Sequence, residues 1–151
     1  MTAASDQEAT DLISEIFRAS GALTRAGDEL TAEFSLSASR WLMLGALQDG
    51  PVSVAAIGRR RGLRRQSARE SVQRLERDGF VERLDDPADK RSSLLQLTPA
   101  GRDALDRIEP RRSGWATDLA ASLDSDSVQQ SLALLRNLRR HLERTSEEDH
   151  G

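Results

Sequence analysis

At Gly79 the hydrophobic period of this chain changes. Just upstream, in "RRQSARESVQRLERDG", Ala68, Val72 and Leu75 recur at helical spacing and form one apolar stripe. Just downstream, "FVERL" (80–84) and "SSLLQL" (92–97) read as two strands, joined by the Asp/Pro-rich segment 85–91. A helix stopped by glycine and followed at once by a ribbon is the arrangement to which the rest of the chain must be fitted.

The flanking segments are helical. From Asp6 to about Glu33, Leu12, Ile13, Ile16, Phe17, Leu23 and Leu30 fall on one helix face. Ser37 is a good N-cap for "LSASRWLMLGALQDGP", with Leu36 placed to staple onto Trp41, and Gly50-Pro51 ends that helix. Ser53 caps a short third helix, "VAAIGRRR", which Gly62 terminates. Thr98 followed by Pro99 opens a long helix reaching to near Ser122. Asp124-Ser125-Asp126 breaks it and caps a last helix striped by Val128, Leu132, Leu135, Leu138 and Leu142.

Two short helices joined through a glycine and followed by a hairpin make a winged helix-turn-helix, whose second helix enters the major groove of DNA. The expected fold is therefore mainly α, a winged helix-turn-helix with a two-stranded β-wing, flanked by long N- and C-terminal dimerisation helices. Its divisions are 1–35 (N-terminal dimerisation helix), 36–98 (DNA-binding lobe), 99–145 (C-terminal dimerisation helices) and a frayed tail, 146–151. The terminal stripes need a partner, because leaving apolar surface in water costs about 25 cal/mol per Å². A second copy is the economical one, met through Leu12, Ile16, Leu132, Leu135, Leu138 and Leu142.

Composition narrows the function. The 151 residues include no cysteine, which excludes disulfides, thiolate nucleophiles and thiol-based redox sensing. The N-terminus lacks a basic start and an apolar core, and "WLMLGAL" is too short to cross a bilayer, so a cytoplasmic protein without membrane contact is expected. The net charge of −3 conceals a local reversal: residues 59–77 hold eight arginines against two glutamates. Screening limits surface charge effects to about 10 Å, so the patch matters more than the total.

The helix at 65–78 turns Gln66, Arg69, Glu70, Gln73 and Arg77 away from its apolar stripe, with Ser67 and Arg74 at the flanks. These side chains read base edges: arginine for guanine, glutamine for adenine, glutamate for cytosine. Arg64 and Arg65 join them at the helix start, where backbone N–H groups suit phosphate. At the ribbon tip, Arg91 is placed to enter the adjacent minor groove, with Lys90 on the DNA backbone. Asp89 can accept from the Arg91 guanidinium, and Asp85 or Asp86 can fold the turn through its side chain.

The stretch 62–101 resembles the MarR family of bacterial transcription regulators. The resemblance rests on Leu75-Glu76-Arg77-Asp78-Gly79-Phe80-Val81-Glu82-Arg83, on Asp86-Pro87-Ala88-Asp89-Lys90-Arg91 in the wing, and on Leu97-Thr98-Pro99-Ala100-Gly101. "LSASRWLMLGAL" matches the family's second helix. The resemblance implies an obligate dimer and repression of nearby genes; a dimer with one reading helix per copy is expected to meet a pseudo-palindromic operator in double-stranded DNA. In many members a small aromatic or anionic effector relieves that repression. Two departures stand out: Arg64 occupies a usual capping position, and Glu70 sits near where many members place an arginine.

Phe17, Arg40, Trp41 and Trp115 are the candidates for an effector pocket, although aromatics at helical spacing are more often core. His141 and His150 are too few for a metal site or a general base. No cofactor motif, nucleophile elbow or paired-carboxylate arrangement appears, so no enzyme is expected. The competing reading is a winged-helix module whose arginines meet an acidic protein instead of DNA.

Overall fold

Ser5 starts the first helix, α1 (Asp6–Thr31), with a reciprocal cap. Its hydroxyl accepts from the Glu8 amide at 3.2 Å, while the Glu8 carboxylate accepts from the Ser5 amide at 2.8 Å. The Ser5 amide, together with the Ser5 hydroxyl donating to the same carboxylate at 2.7 Å, holds the Glu8 carboxyl below its ordinary value. The computed structural model describes residues 2–148. After α1 comes a short 3-10 turn, Ala32–Phe34, which closes at Ser35 in a left-handed conformation (φ 57°).

The next helix, α2 (Ala38–Gly45), is capped twice. Ser37 accepts from the Arg40 amide at 3.4 Å, and Asp28 of α1 accepts from the Ala38 amide at 2.7 Å. α1 and α2 approach so closely here that a Cβ on Gly27 would sit 2.6 Å from the Ala38 Cβ. α2 ends at Gly45, with turns up to Gly50, so it is shorter than the Gly50-Pro51 stop suggested.

A strand, β1 (Val52–Ser53), leads into α3 (Val54–Arg60), then α4 (Arg65–Arg77), β2 (Val81–Asp85) and β3 (Ser93–Leu97). Ser53 caps α3 by accepting from the Ala56 amide at 3.2 Å. Gly62 (φ 62°) and Gly79 (φ 78°) end α3 and α4 in the same way. In each, the glycine amide donates three residues back into the helix end and the following amide five residues back: Gly62 to Arg59 and Leu63 to Gly58, Gly79 to Glu76 and Phe80 to Leu75. A side chain at the glycine would resist that left-handed turn.

The sheet order is β1-β3-β2, antiparallel throughout, with Arg83 opposite Leu95 and Val52 opposite Leu95 on the other side. The expected two-stranded wing thus gains a third strand. β1 is two residues long and shows no alternation, which leaves no periodic signal in the sequence.

α5 (Pro99–Ala121) and α6 (Ser125–Glu148) complete the order. Thr98 caps α5, accepting from the Gly101 amide at 3.1 Å, and Asp124 caps α6, accepting from the Ser127 amide at 2.9 Å. Pro110 lies inside α5 and has no N–H to offer the preceding turn. α6 continues through Glu148, three residues into the expected frayed tail; Asp149 to Gly151 lie outside the described residues.

The chain divides between Arg111 and Arg112 into two compact units. In the first, Met43, Leu44, Leu47 and Ile57 pack with Val72 and Leu75 of α4, Val81 and Leu95 of the sheet, and Ala104, Leu105 and Ile108 of α5. The core of this unit therefore includes part of α5 beyond the 36–98 lobe. In the second unit, Leu132, Leu135 and Leu142 on α6 are exposed and Leu138 is half-buried. No helix among the described residues is long and apolar enough to cross a membrane.

Candidate nucleic-acid interface

α4 buries Ala68, Val72 and Leu75, and this decides what its other side presents. Arg65, Gln66, Ser67, Arg69, Glu70, Gln73, Arg74 and Arg77 are all exposed on that side. Arg64 sits at the N-cap in extended conformation and supplies no side-chain cap, since a guanidinium has no acceptor to offer the first-turn amides. Among the described residues, the side chains of Arg59, Arg60, Arg64, Arg65, Arg69, Arg77, Lys90 and Arg91 make no hydrogen bond or ion pair, so their charge is available to an incoming anion.

The remaining cations of this lobe are committed. Arg74 donates to Asp78 at 3.1 Å, and Asp78 also pairs with Arg40 of α2 at 3.3 Å. Arg83 of β2 donates to Glu76 of α4 at 2.6 Å, tying the ribbon's first strand to the helix it follows. Arg61 donates to the Leu42 carbonyl at the end of α2, at 2.6 Å. Desolvation lowers the Arg61 guanidinium below its usual value, but a group that starts so high stays charged at any ordinary pH. On α4 itself, Gln66 Nε2 donates to Glu70 Oε1 at 3.0 Å.

The ribbon tip is folded by its acids. Asp86 accepts from the Ala88 amide and from the Ser92 hydroxyl, both at 2.9 Å. Asp89 accepts from the Arg91 backbone amide at 2.9 Å, instead of from the guanidinium as its position in sequence suggested. Bonding a main-chain amide two residues on is the ordinary Asx turn, and it competes directly with a side-chain pair. The consequence is that Arg91 is oriented through its backbone while its guanidinium stays unpaired.

Between α3, α4 and the ribbon lies an open cleft of about 650 Å³. Arg65, Arg69 and Gln73 of α4 line it together with Arg91 and Ser92 of the tip, so helix and wing face one concave surface. Arg59 and Arg83 also line it. The sequence marked Arg59 only within the charge run 59–77 and Arg83 only within a motif; for Arg59 that run was the signal, whereas Arg83 is brought there by the ribbon's fold.

The effector candidates stand in different surroundings. Arg40 is occupied by Asp78 and by the Ser37 hydroxyl at 3.2 Å, and Trp41 packs against the core. Phe17 stands in solvent at 74% exposure. Trp115 is half-buried on α5 in the second unit. Phe17, Arg40 and Trp41 are not among the residues lining the cleft. Of the dimer candidates, Leu12 and Ile16 are half-buried on α1.

Comparison with known proteins gives consistent matches. A model of the MarR family matches residues 34–92. An uncharacterized protein of Mycobacterium tuberculosis is 29% identical over 131 residues, 87% of this chain and 92% of its own length. The uncharacterized HTH-type transcriptional regulator YkoM of Bacillus subtilis is 34% identical over 87 residues, 58% of this chain and 56% of its own. Among solved structures, a mutant MarR from E. coli complexed with operator DNA superposes with a TM-score of 0.77 at 20% identity, over 90% of this chain and 99% of that one.

Proposed function

Since this chain belongs to the MarR family, we propose that two copies of it bind a pseudo-palindromic operator in double-stranded DNA and repress the genes beside it. Each copy lays α4 in the major groove of one half-site, about one helical turn from the other. The wing reaches the neighbouring minor groove with Arg91, while Lys90 meets the backbone. Acting on chromosomal DNA, such a regulator works in the cytoplasm.

The observation that carries this reading is the set of unpaired cations on α3, α4 and the ribbon tip, in a chain whose net charge is −3. Their surroundings favour a duplex over an acidic protein. They flank a helix face of glutamines, a serine and a glutamate, the groups that distinguish base edges. Pairing of copies is supported by the exposed leucines of α6 and by Phe17 on α1. Release by a small aromatic or anionic effector is supported by the family resemblance alone, because Arg40 already has an anionic partner.

The deciding experiment is footprinting on the region upstream of the protein's own gene, with the wild type and with Arg91→Ala, across a salt series. The wild type should protect a pseudo-palindrome, and the substitution should weaken binding and reduce the salt slope by about one unit. Equal, weak retention of cognate and random duplexes would reject the reading in favour of a protein partner.

A further inference from the structure

We infer that Glu70 sets the base preference of α4: it selects cytosine at one operator position and orients Gln66 toward adenine at a neighbouring one. The inference rests on the DNA-binding reading above. Gln66 and Glu70 are one turn apart on the exposed side of α4, joined by the 3.0 Å bond from Gln66 Nε2 to Glu70 Oε1. An ionised carboxylate only accepts, so the Gln66 amide must turn its nitrogen toward Glu70. One N–H is thereby used, and the amide keeps its oxygen and its second N–H. That acceptor–donor pair matches the N6 amino group and N7 of adenine.

Glu70 has a complementary character. Gln66 is its side-chain partner on α4, and its second oxygen is left as a bare acceptor. In the major groove, cytosine offers an N4 amino donor; guanine presents N7 and O6 acceptors, thymine an O4 acceptor and a methyl group. An anion facing those acceptors is repelled, and adenine's N7 lies beside its amino group, so cytosine is preferred. The two residues are about 6 Å apart along the helix axis, which places their bases within about two pairs of each other. Arg65, Arg69 and Arg77 keep the helix attractive to phosphate while Glu70 discriminates.

The test is selection from a randomised duplex library by the wild type, Glu70→Ala, Glu70→Gln and Gln66→Ala, each checked by its melting curve. The wild-type motif should fix a cytosine with an adenine within two base pairs. Glu70→Ala should lower the cytosine preference by about tenfold to a hundredfold and leave the arginine-read positions unchanged. Glu70→Gln should move that position toward adenine, and Gln66→Ala should relax only the adenine. If Glu70→Ala enriches the wild-type motif, the pair merely stiffens the helix and the inference falls while DNA binding stands. If the wild type enriches no motif, both fall together.

Discussion

Gly101 is the position where one added carbon should do most damage. A Cβ there would lie 2.1 Å from the Phe80 carbonyl oxygen, 3.0 Å from its carbon and 3.3 Å from a methyl of Leu97. Ordinary contact begins near 3.4 Å, so backbone must move by more than an ångström. The same Phe80 carbonyl accepts from the Thr98 amide at 3.1 Å, and Gly101 itself donates to the Thr98 hydroxyl. Forced overpacking costs about 1–3 kcal/mol and a lost hydrogen bond about 0.5–1.5 kcal/mol. Against this, alanine gains at most about 1 kcal/mol over glycine in a helix. Gly101→Ala should therefore lose about 1–3 kcal/mol, which lowers Tm by several degrees in a chain of this size. Thermal unfolding followed by far-UV circular dichroism measures it. Gly114, in the same helix with no heavy atom within 4 Å of its added carbon, is the control, and Gly114→Ala should be neutral or stabilising. If Gly101→Ala melts at or above the wild-type temperature, the close approach of α5 to Phe80 is wrong.

Leu135→Glu puts a charge into the α6 stripe and should shift sedimentation toward the monomer, with loss of the footprint; an unchanged dimer would show that α6 is not the pairing surface. Asp124 provides a pH test. Its bonds from the Ser127 amide and hydroxyl hold its carboxyl below the ordinary 3.8. A carboxylate with a depressed folded value stabilises above its unfolded value, and that contribution drains as pH falls below 3.8 through the folded value. Helicity should thus fall more steeply on acidification in the wild type than in Asp124→Asn, whose amide caps without titrating. Coincident acid curves would remove Asp124 from the account.

What the sequence disclosed was whatever repeats or punctuates. The inward face of α4 was legible because Ala68, Val72 and Leu75 repeat at one helix period, and burial follows that face residue for residue. The stops at Gly62 and Gly79 were legible because each needs a left-handed residue. Hidden were features set by partners distant in sequence. β1 exists because β3 lies beside it, and Arg40 is taken by Asp78, 38 residues away. Asp89 misled for a different reason. Two acceptable donors, the amide and the guanidinium of Arg91, were in reach, and spacing alone could not rank them. Pro110 was passed over because the residues around it keep a helical pattern.

Thr98 joins two places at once. Its hydroxyl donates to the Gly79 carbonyl at 2.5 Å and its amide to Phe80, so the ribbon leaves and returns through a single knot. Everything between, residues 81–97, is a paired ribbon, β2, tip and β3, with both feet pinned. Drift in the length or lettering of its far end can be absorbed there without tilting the helix that precedes it. Lineages descended from such a chain are thereby free to vary the ribbon tip while inheriting the preceding helix unchanged.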